Sequence, residues 1–431
     1  MKDELAKKLF AQIEQIHIID THEHLMNRQM LCDLGFNLIH AFEFEYLRDD
    51  LQTLGMDPNL LLGRASEPDS LIPELLPLLK QTRNTTYFRA LFRAFRDLHG
   101  LVGDCLEPVA LHAASRSISA AYEKSDWYPR VIRDTCRIRY LLRDMDYLVA
   151  EDDFVKPVIR MDSYLILRHR HLLQSWLEKD PLFALRLTEA GYQERVRTFD
   201  DYLAVMDADF RKALEFGAVA IKVGIAYNRT LQFDEVPIDE ANLIFQLPDE
   251  KTTWTDIKRF QDFIMFRIIE TAAGHNLPVQ IHTGLLAGGT NTLSHANPLH
   301  LTNIFLTFPH ARFDVFHGGF PFTGELGSLA LMFPNVYLDT CWLPLISYAG
   351  FKQALHEWLS YVPAGKFLWG GDCFCAEGIY GAVVMMREAL AEVLAQKVRD
   401  DEFDEELALY VARRILNQNA AGLFRLEDPN S

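Results

Sequence analysis

The sequence predicts an α/β fold, a (β/α)8 TIM barrel with a helical insertion between strands 1 and 2. Three observations carry this expectation. Eight short apolar runs alternate with longer helical stretches. The runs are rich in Val, Ile, Leu and Phe without strict alternation, as strands covered on both faces are. Chemically reactive side chains collect at their C-terminal ends, where packing alone would call for Val or Leu.

In chain order the runs are "IHIIDTH" (16–22), "RIRYLLRD" (137–144), "KPVIRMDS" (156–163), "AVAIKVGI" (218–225), "LPVQIHTG" (277–284), "ARFDVFHG" (311–318), "NVYLDTC" (335–341) and "KFLWGGDC" (366–373). Eight such units fit a closed parallel barrel. The rhythm breaks once, between the first and second runs, where the interval is far longer than an ordinary βα connection. There "NTTYFRALFRAFRDLHGL" (84–101) repeats Tyr87, Leu91, Phe95 and Leu98 at helical spacing. Residues 1–27 and 131–431 are therefore expected to form the barrel, and 28–130 a helical insertion over its mouth. The insertion's aromatics read as its own core rather than a ligand box.

Composition narrows the function classes. A chain of 431 residues that is 49% hydrophobic can bury a large core. Lys and Arg total 43 against 60 Asp and Glu, a formal charge of -17, which offers no electrostatic footprint for nucleic acid or an anionic membrane. The amphipathic, charged N-terminal stretch lacks the apolar centre of a secretory signal, and no uninterrupted apolar run is long enough to span a bilayer. Six cysteines are too sparse for a disulfide framework. The expectation is a cytoplasmic homo-oligomer acting on a small-molecule substrate.

The candidate site follows from the strand ends. His22 ends run 1 and His24 follows it, Lys222 lies in run 4, and His282, His317 and Asp372 lie at the ends of runs 5, 6 and 8. In a parallel barrel these ends converge on one mouth. Residues two apart on a strand share a side, so His22 and His24 can reach inward together while Glu23 points away. Neutral imidazoles and a carboxylate suit a divalent transition metal such as zinc, and a site open to water would be catalytic. Asp372 is the candidate proton shuttle at such a centre. Hydrolysis of an amide, lactone or ester bond leads; an isomerase, a decarboxylase and a non-catalytic barrel are the other readings. Arg143 and Arg160, near the ends of runs 2 and 3, could grip a substrate carboxylate, or could instead form ion pairs, Arg143 with Asp144 or Asp146 and Arg160 with Asp162. Cys373 and Cys375 read as small packing residues, and His295, His300 and His310 carry no assigned role.

This order of His-x-His, Lys, His, His and Asp resembles the amidohydrolase superfamily. The resemblance implies that His22, His24 and Asp372 bind one metal, and that His282 and His317 bind a second or share the first. Lys222 would be carboxylated and bridge the pair, giving one or two ions. Asp372 and His317 are then the candidate catalytic residues. The phrases "QIHTGL", "NPLHL", "HGGFPF" and "GGDCF" look closest to the branch with small-acid decarboxylases and the amidohydrolase domains associated with glutamine synthetase. Uronate isomerases share the barrel and the first motif, and "IRMD" (159–162) is similar to their Arg-x-Asp element.

Overall fold

The computed structural model describes residues 3–103, 105–145, 152–166, 196–289 and 291–428. Eight parallel strands follow one another around a single sheet: β1 (Ile18–Glu23), β2 (Ile138–Met145), β3 (Val155–Arg160), β4 (Ala220–Val223), β5 (Val279–Ile281), β6 (Phe313–Val315), β7 (Val336–Asp339) and β8 (Phe367–Leu368). Backbone bonds close the ring between β1 and the chain just after β8: Thr21 N donates to Trp369 O at 3.1 Å, and Asp372 N to His22 O at 2.9 Å. His24 N continues the seam to Cys373 O at 2.9 Å.

Each strand buries both faces, which is why its sequence reads as a continuous apolar run. Ile18, Leu141, Ile221, Val279 and Val315 pack outward into the main core against the helices. Ile19, Leu142, Val158, Ala220 and Leu368 face inward and form a separate cluster with Leu423 and Phe424 of the C-terminal helix Asn419–Phe424, which plugs the barrel floor. Above that floor the interior turns polar. Thr21 Oγ1 donates to Asp339 Oδ2 at 2.5 Å, while Gln280 Nε2 donates to Thr21 O at 2.8 Å and to Asp314 Oδ2 at 3.0 Å. Counting on by twos from the floor residues brings Asp144, Arg160 and Lys222 inward at the mouth. Arg143 shares the parity of Leu141, so it belongs to the outer face.

Between β1 and β2 the described chain is helical: α1 (Arg28–Asp33), α2 (Leu38–Phe44), α3 (Leu47–Thr53), α4 (Leu60–Gly63), α5 (Pro68–Thr82), α6 (Thr86–His99) and α7 (Pro108–Tyr122), followed by a π-helical turn at Pro129–Thr135. In α6 the Thr85 side chain caps the first turn by accepting from Phe88 N, and Gly100 ends the helix at φ 69°. Leu91 and Phe95 are buried, as the helical spacing requires. This helix packs along α8 (Ala376–Arg399), the long helix after β8, so the insertion is anchored next to the loop that carries Asp372.

Among the described residues, no helix is long and apolar enough to cross a membrane. Apart from β2, the ladders are shorter than the apolar runs that announce them. Run 5 covers 277–284, whereas β5 is Val279–Ile281, because the chain bends into loops whose side chains stay buried after strand pairing ends.

Candidate metal centre

His22 is near the end of β1, His24 one residue beyond it, and Asp372 in the loop after β8. Two glycines bring these segments together. A Cβ on Gly370 would lie 2.7 Å from His22 N, and one on Gly371 would lie 2.2 Å from Glu23 Oε1. Only a bare backbone allows so close an approach. Asp20 and Glu23 lock the seam further, Asp20 Oδ1 accepting from Gly371 N at 3.1 Å and Glu23 Oε2 accepting from Cys373 N. Glu23 thus turns away from the histidine pair, toward the β8 loop.

The result is a tight triangle of donor atoms. His22 Nε2 and His24 Nε2 are 3.4 Å apart, and Asp372 Oδ1 is 3.3 Å from the first and 3.2 Å from the second. Tetrahedral zinc with bonds of about 2.0–2.1 Å has ligand–ligand edges of about 3.3 Å, so the spacing fits a divalent ion. Asp372 Oδ1 is buried yet accepts no hydrogen bond, which also fits an oxygen reserved for a cation. Burial lowers the His22 pKa to about 3, helped by the charge of Lys222, so its imidazole is neutral with a lone pair to give. Burial pushes the Asp372 carboxyl up, but its close approach to the imidazoles of His22 and His24 outweighs it and holds the group well below the usual range. His24 stacks on Phe374 with ring centroids 5.0 Å apart, which fixes its ring plane.

A second histidine pair stands beside this triangle. His317 Nδ1 donates to Cys341 O at 3.1 Å, and His282 Nε2 donates to Leu285 O at 2.9 Å. These bonds fix both tautomers and leave His282 Nδ1 facing His317 Nε2 at 3.0 Å. Burial lowers the His317 pKa to about 4 and that of His282 well below its ordinary value. Two neutral nitrogens therefore present lone pairs to one another, an arrangement relieved only by an electron-poor partner. Donation of the far N–H to a backbone carbonyl is the usual support of a metal-binding histidine. His317 Nδ1 lies 3.9 Å from Asp372 Oδ2.

Lys222 is fully buried at the mouth, its Nζ 3.5 Å from the centroid of the Phe316 ring, and burial lowers its pKa. Arg160 also reaches the mouth. Its Nε donates to Asp144 Oδ2 at 3.0 Å, Nη2 donates to the same oxygen, and Asp162 Oδ2 is 4.0 Å away. Burial opposes the charge on Asp144, but Arg160 and His24 override it and hold that carboxyl far below its ordinary range. Arg143 is not brought to the mouth: it is buried on the outer face, where its charge acts on Tyr128. Asp146 lies outside the described residues. Cys373 and Cys375 are buried free thiols.

Sequence reasoning overlooked Asp144 as a site residue, although counting by twos from Leu142 would have found it. It also overlooked Cys341, whose thiol joins His317 and Asp372 in a second group of donor atoms within 4.8 Å of one another. Tyr46 and Trp342 were missed too. The Tyr46 hydroxyl donates to Asp372 O at 2.6 Å, and Trp342 packs on both Tyr46 and His317 with centroids 4.4 and 5.3 Å away. No periodicity in the insertion marks Tyr46 in advance.

Comparison with known proteins agrees with this architecture. Residues 200–426 match the sequence profile of the amidohydrolase family. The Emericella nidulans protein fluG is 35% identical over 155 residues, a match spanning 36% of this chain and 18% of that protein's length. Among solved structures, uronate isomerase from Thermotoga maritima superposes with a TM-score of 0.78 at 16% identity, covering 98% of both chains. A protein described as a metal-dependent hydrolase from Lactobacillus casei gives 0.66 at 18% identity, covering 97% of both. These likenesses are to the fold. The profile match extends over more than half of the sequence, and the chain belongs to the amidohydrolase family.

Proposed function

We propose that this chain is a metal-dependent hydrolase that opens an amide, lactone or ester bond in a small substrate bearing a carboxylate. The observation that carries this reading is the triangle of His22 Nε2, His24 Nε2 and Asp372 Oδ1 at the barrel mouth, with no edge longer than 3.4 Å. A divalent ion held there would supply Lewis acidity toward water and toward a substrate carbonyl.

The chain's own groups would do the rest. Asp372 is ionised, so its carboxylate can take the proton of the attacking water and return it to the leaving group. His317, neutral and anchored by Cys341 O, would orient the carbonyl or the ion beside it. Arg160 and Lys222 set positive charge around the mouth, where a substrate acid would be held. The Nζ of Lys222 against the face of Phe316 supports an unmodified amine, because a carboxylated lysine would set an anion against the ring's negative face. One ion on the His22–His24–Asp372 triangle is therefore the preferred count, and zinc the preferred metal.

Isomerisation of a uronate is the second reading. It is favoured by the near-complete superposition on uronate isomerase from Thermotoga maritima and on glucuronate isomerase from Caulobacter crescentus, the latter with a TM-score of 0.77. An isotope experiment separates the two. Protein loaded with zinc is incubated in ¹⁸O-water with small carboxylated amides, lactones and uronates, and products are read by mass spectrometry. The proposal expects a cleaved product carrying one ¹⁸O in its new carboxylate. Uronate turnover to a ketose of unchanged composition, with the amides and lactones untouched, would replace hydrolysis by isomerisation.

A further inference from the structure

We infer that Tyr46 is a positioning residue for the Asp372 carboxylate, so that the insertion completes the metal centre rather than merely covering it. This rests on the reading of Asp372 as a metal ligand. Tyr46 stands at the junction of α2 and α3, and its buried hydroxyl donates to the backbone oxygen of Asp372 at 2.6 Å. Asp372 needs such support. It adopts φ 63°, a left-handed conformation that residues with a Cβ seldom take, and its N–H is already tied to His22 O at 2.9 Å. With both flanking peptide groups held, one by the strand that carries the histidines and the other by Tyr46, the Cα–Cβ bond of Asp372 has a fixed direction. From that anchor the carboxylate sits with Oδ1 within 3.3 Å of both imidazoles.

Tyr46 does not act from an otherwise loose segment. Its neighbour Glu45 accepts from Phe374 N and Cys375 N through Oε1, each at 3.0 Å, and Asp49 Oδ2 accepts from Gly288 N at 3.0 Å. One corner of the insertion thus grips the loop after β8 and the loop after β5. The ring of Tyr46 packs in a triangle with Trp342 at 4.4 Å and Tyr87 at 5.4 Å, so its place is set by packing and only the hydroxyl addresses Asp372. Tyr46→Phe therefore removes the bond and leaves the wedge.

The test compares wild type, Asp372→Asn, Tyr46→Phe and Tyr87→Phe as full-length metal-free protein, titrated with zinc against a chromophoric chelator and with cobalt(II) read by visible absorption. Wild type is expected to bind, and Asp372→Asn to lose the metal. Tyr46→Phe should bind about 10–100-fold more weakly, the scale of losing a group that orients a ligand, and should show an altered cobalt spectrum. Tyr87→Phe should titrate as wild type. Wild-type affinity and spectrum in Tyr46→Phe, with metal lost in Asp372→Asn, would overturn the role of Tyr46 while leaving the ligand assignment intact. A Tyr46→Phe protein that melts earlier but keeps the wild-type cobalt spectrum would reduce Tyr46 to packing and overturn it too. Full binding by Asp372→Asn would overturn the ligand reading itself.

Discussion

Asp372 and Lys222 are both fully buried at one barrel mouth, yet their surroundings drive them to opposite chemistry. Asp372 gains two imidazole contacts that outweigh its burial and keep it an anion, whereas burial makes the ammonium of Lys222 easier to discharge. That contrast, with the ring of Phe316 under Nζ, underlies the proposal that Lys222 serves substrate rather than bridging metals. Lys222→Met keeps the length and apolar body of the side chain and deletes the amine. With both proteins prepared in bicarbonate and excess zinc, wild type and Lys222→Met should each hold about one ion per chain. Turnover on an identified substrate should fall about a hundredfold or more in the variant, the scale of removing an acid/base or charge-bearing group. A wild type with about two ions and a variant that loses one would restore the carboxylated bridge.

At the scale of elements, the seam between β1 and the β8 loop decides whether the donor triangle forms. The Gly370–Gly371 pair leaves no room for side chains there. A methyl at Gly370 would meet backbone, His22 N at 2.7 Å, and backbone cannot swing aside as a side chain can. Gly370→Ala should therefore cost about 1–3 kcal/mol of stability and weaken zinc binding, measured by urea denaturation and by chelator competition. Unchanged values for both would show that the seam is looser than its contacts imply. The sequence displayed this seam only in part. The acid of "GGDCF" was legible at the end of the eighth run but the close approach of its glycines was not read, and the eight apolar runs announced the barrel because the strands are buried on both faces. Strand limits were hidden, since β8 pairs over only Phe367–Leu368 while the buried apolar run continues to Trp369. Arg143 was grouped with the mouth because proximity to a strand end was weighed without parity, which gives the inward place to Asp144. The Tyr46 contact joins positions 326 residues apart, and no local pattern encodes it.

For the whole molecule, burying so many ionisable groups makes stability depend on pH in a direction that the pKa shifts fix. Burial raises Asp20 and Glu45 to about 7 and Asp50 and Asp339 to about 6. The folded state then holds protons that the unfolded chain has released, so this contribution is complete below the unfolded carboxyl pKa and is lost as pH rises through 6 to 7. Burial lowers His22 to about 3 and His317 to about 4, and these act oppositely: each contribution grows as pH rises from that folded value to the unfolded histidine value near 6.5. Above that value the histidines no longer oppose the acids, and the metal-free protein should lose stability toward pH 8. Glu45 gives a way to isolate one share of the loss, because Gln keeps an oxygen for Phe374 N and Cys375 N but cannot titrate. Between pH 6 and pH 8 a carboxyl with a folded pKa of about 7 removes about 1.4 kcal/mol. Urea denaturation of chelator-treated protein at both pH values should show the wild-type unfolding free energy falling by about that much more than that of Glu45→Gln. An equal fall in the two proteins would mean that Glu45 is ionised across the whole range, its charge carried by the two backbone donors of the β8 loop.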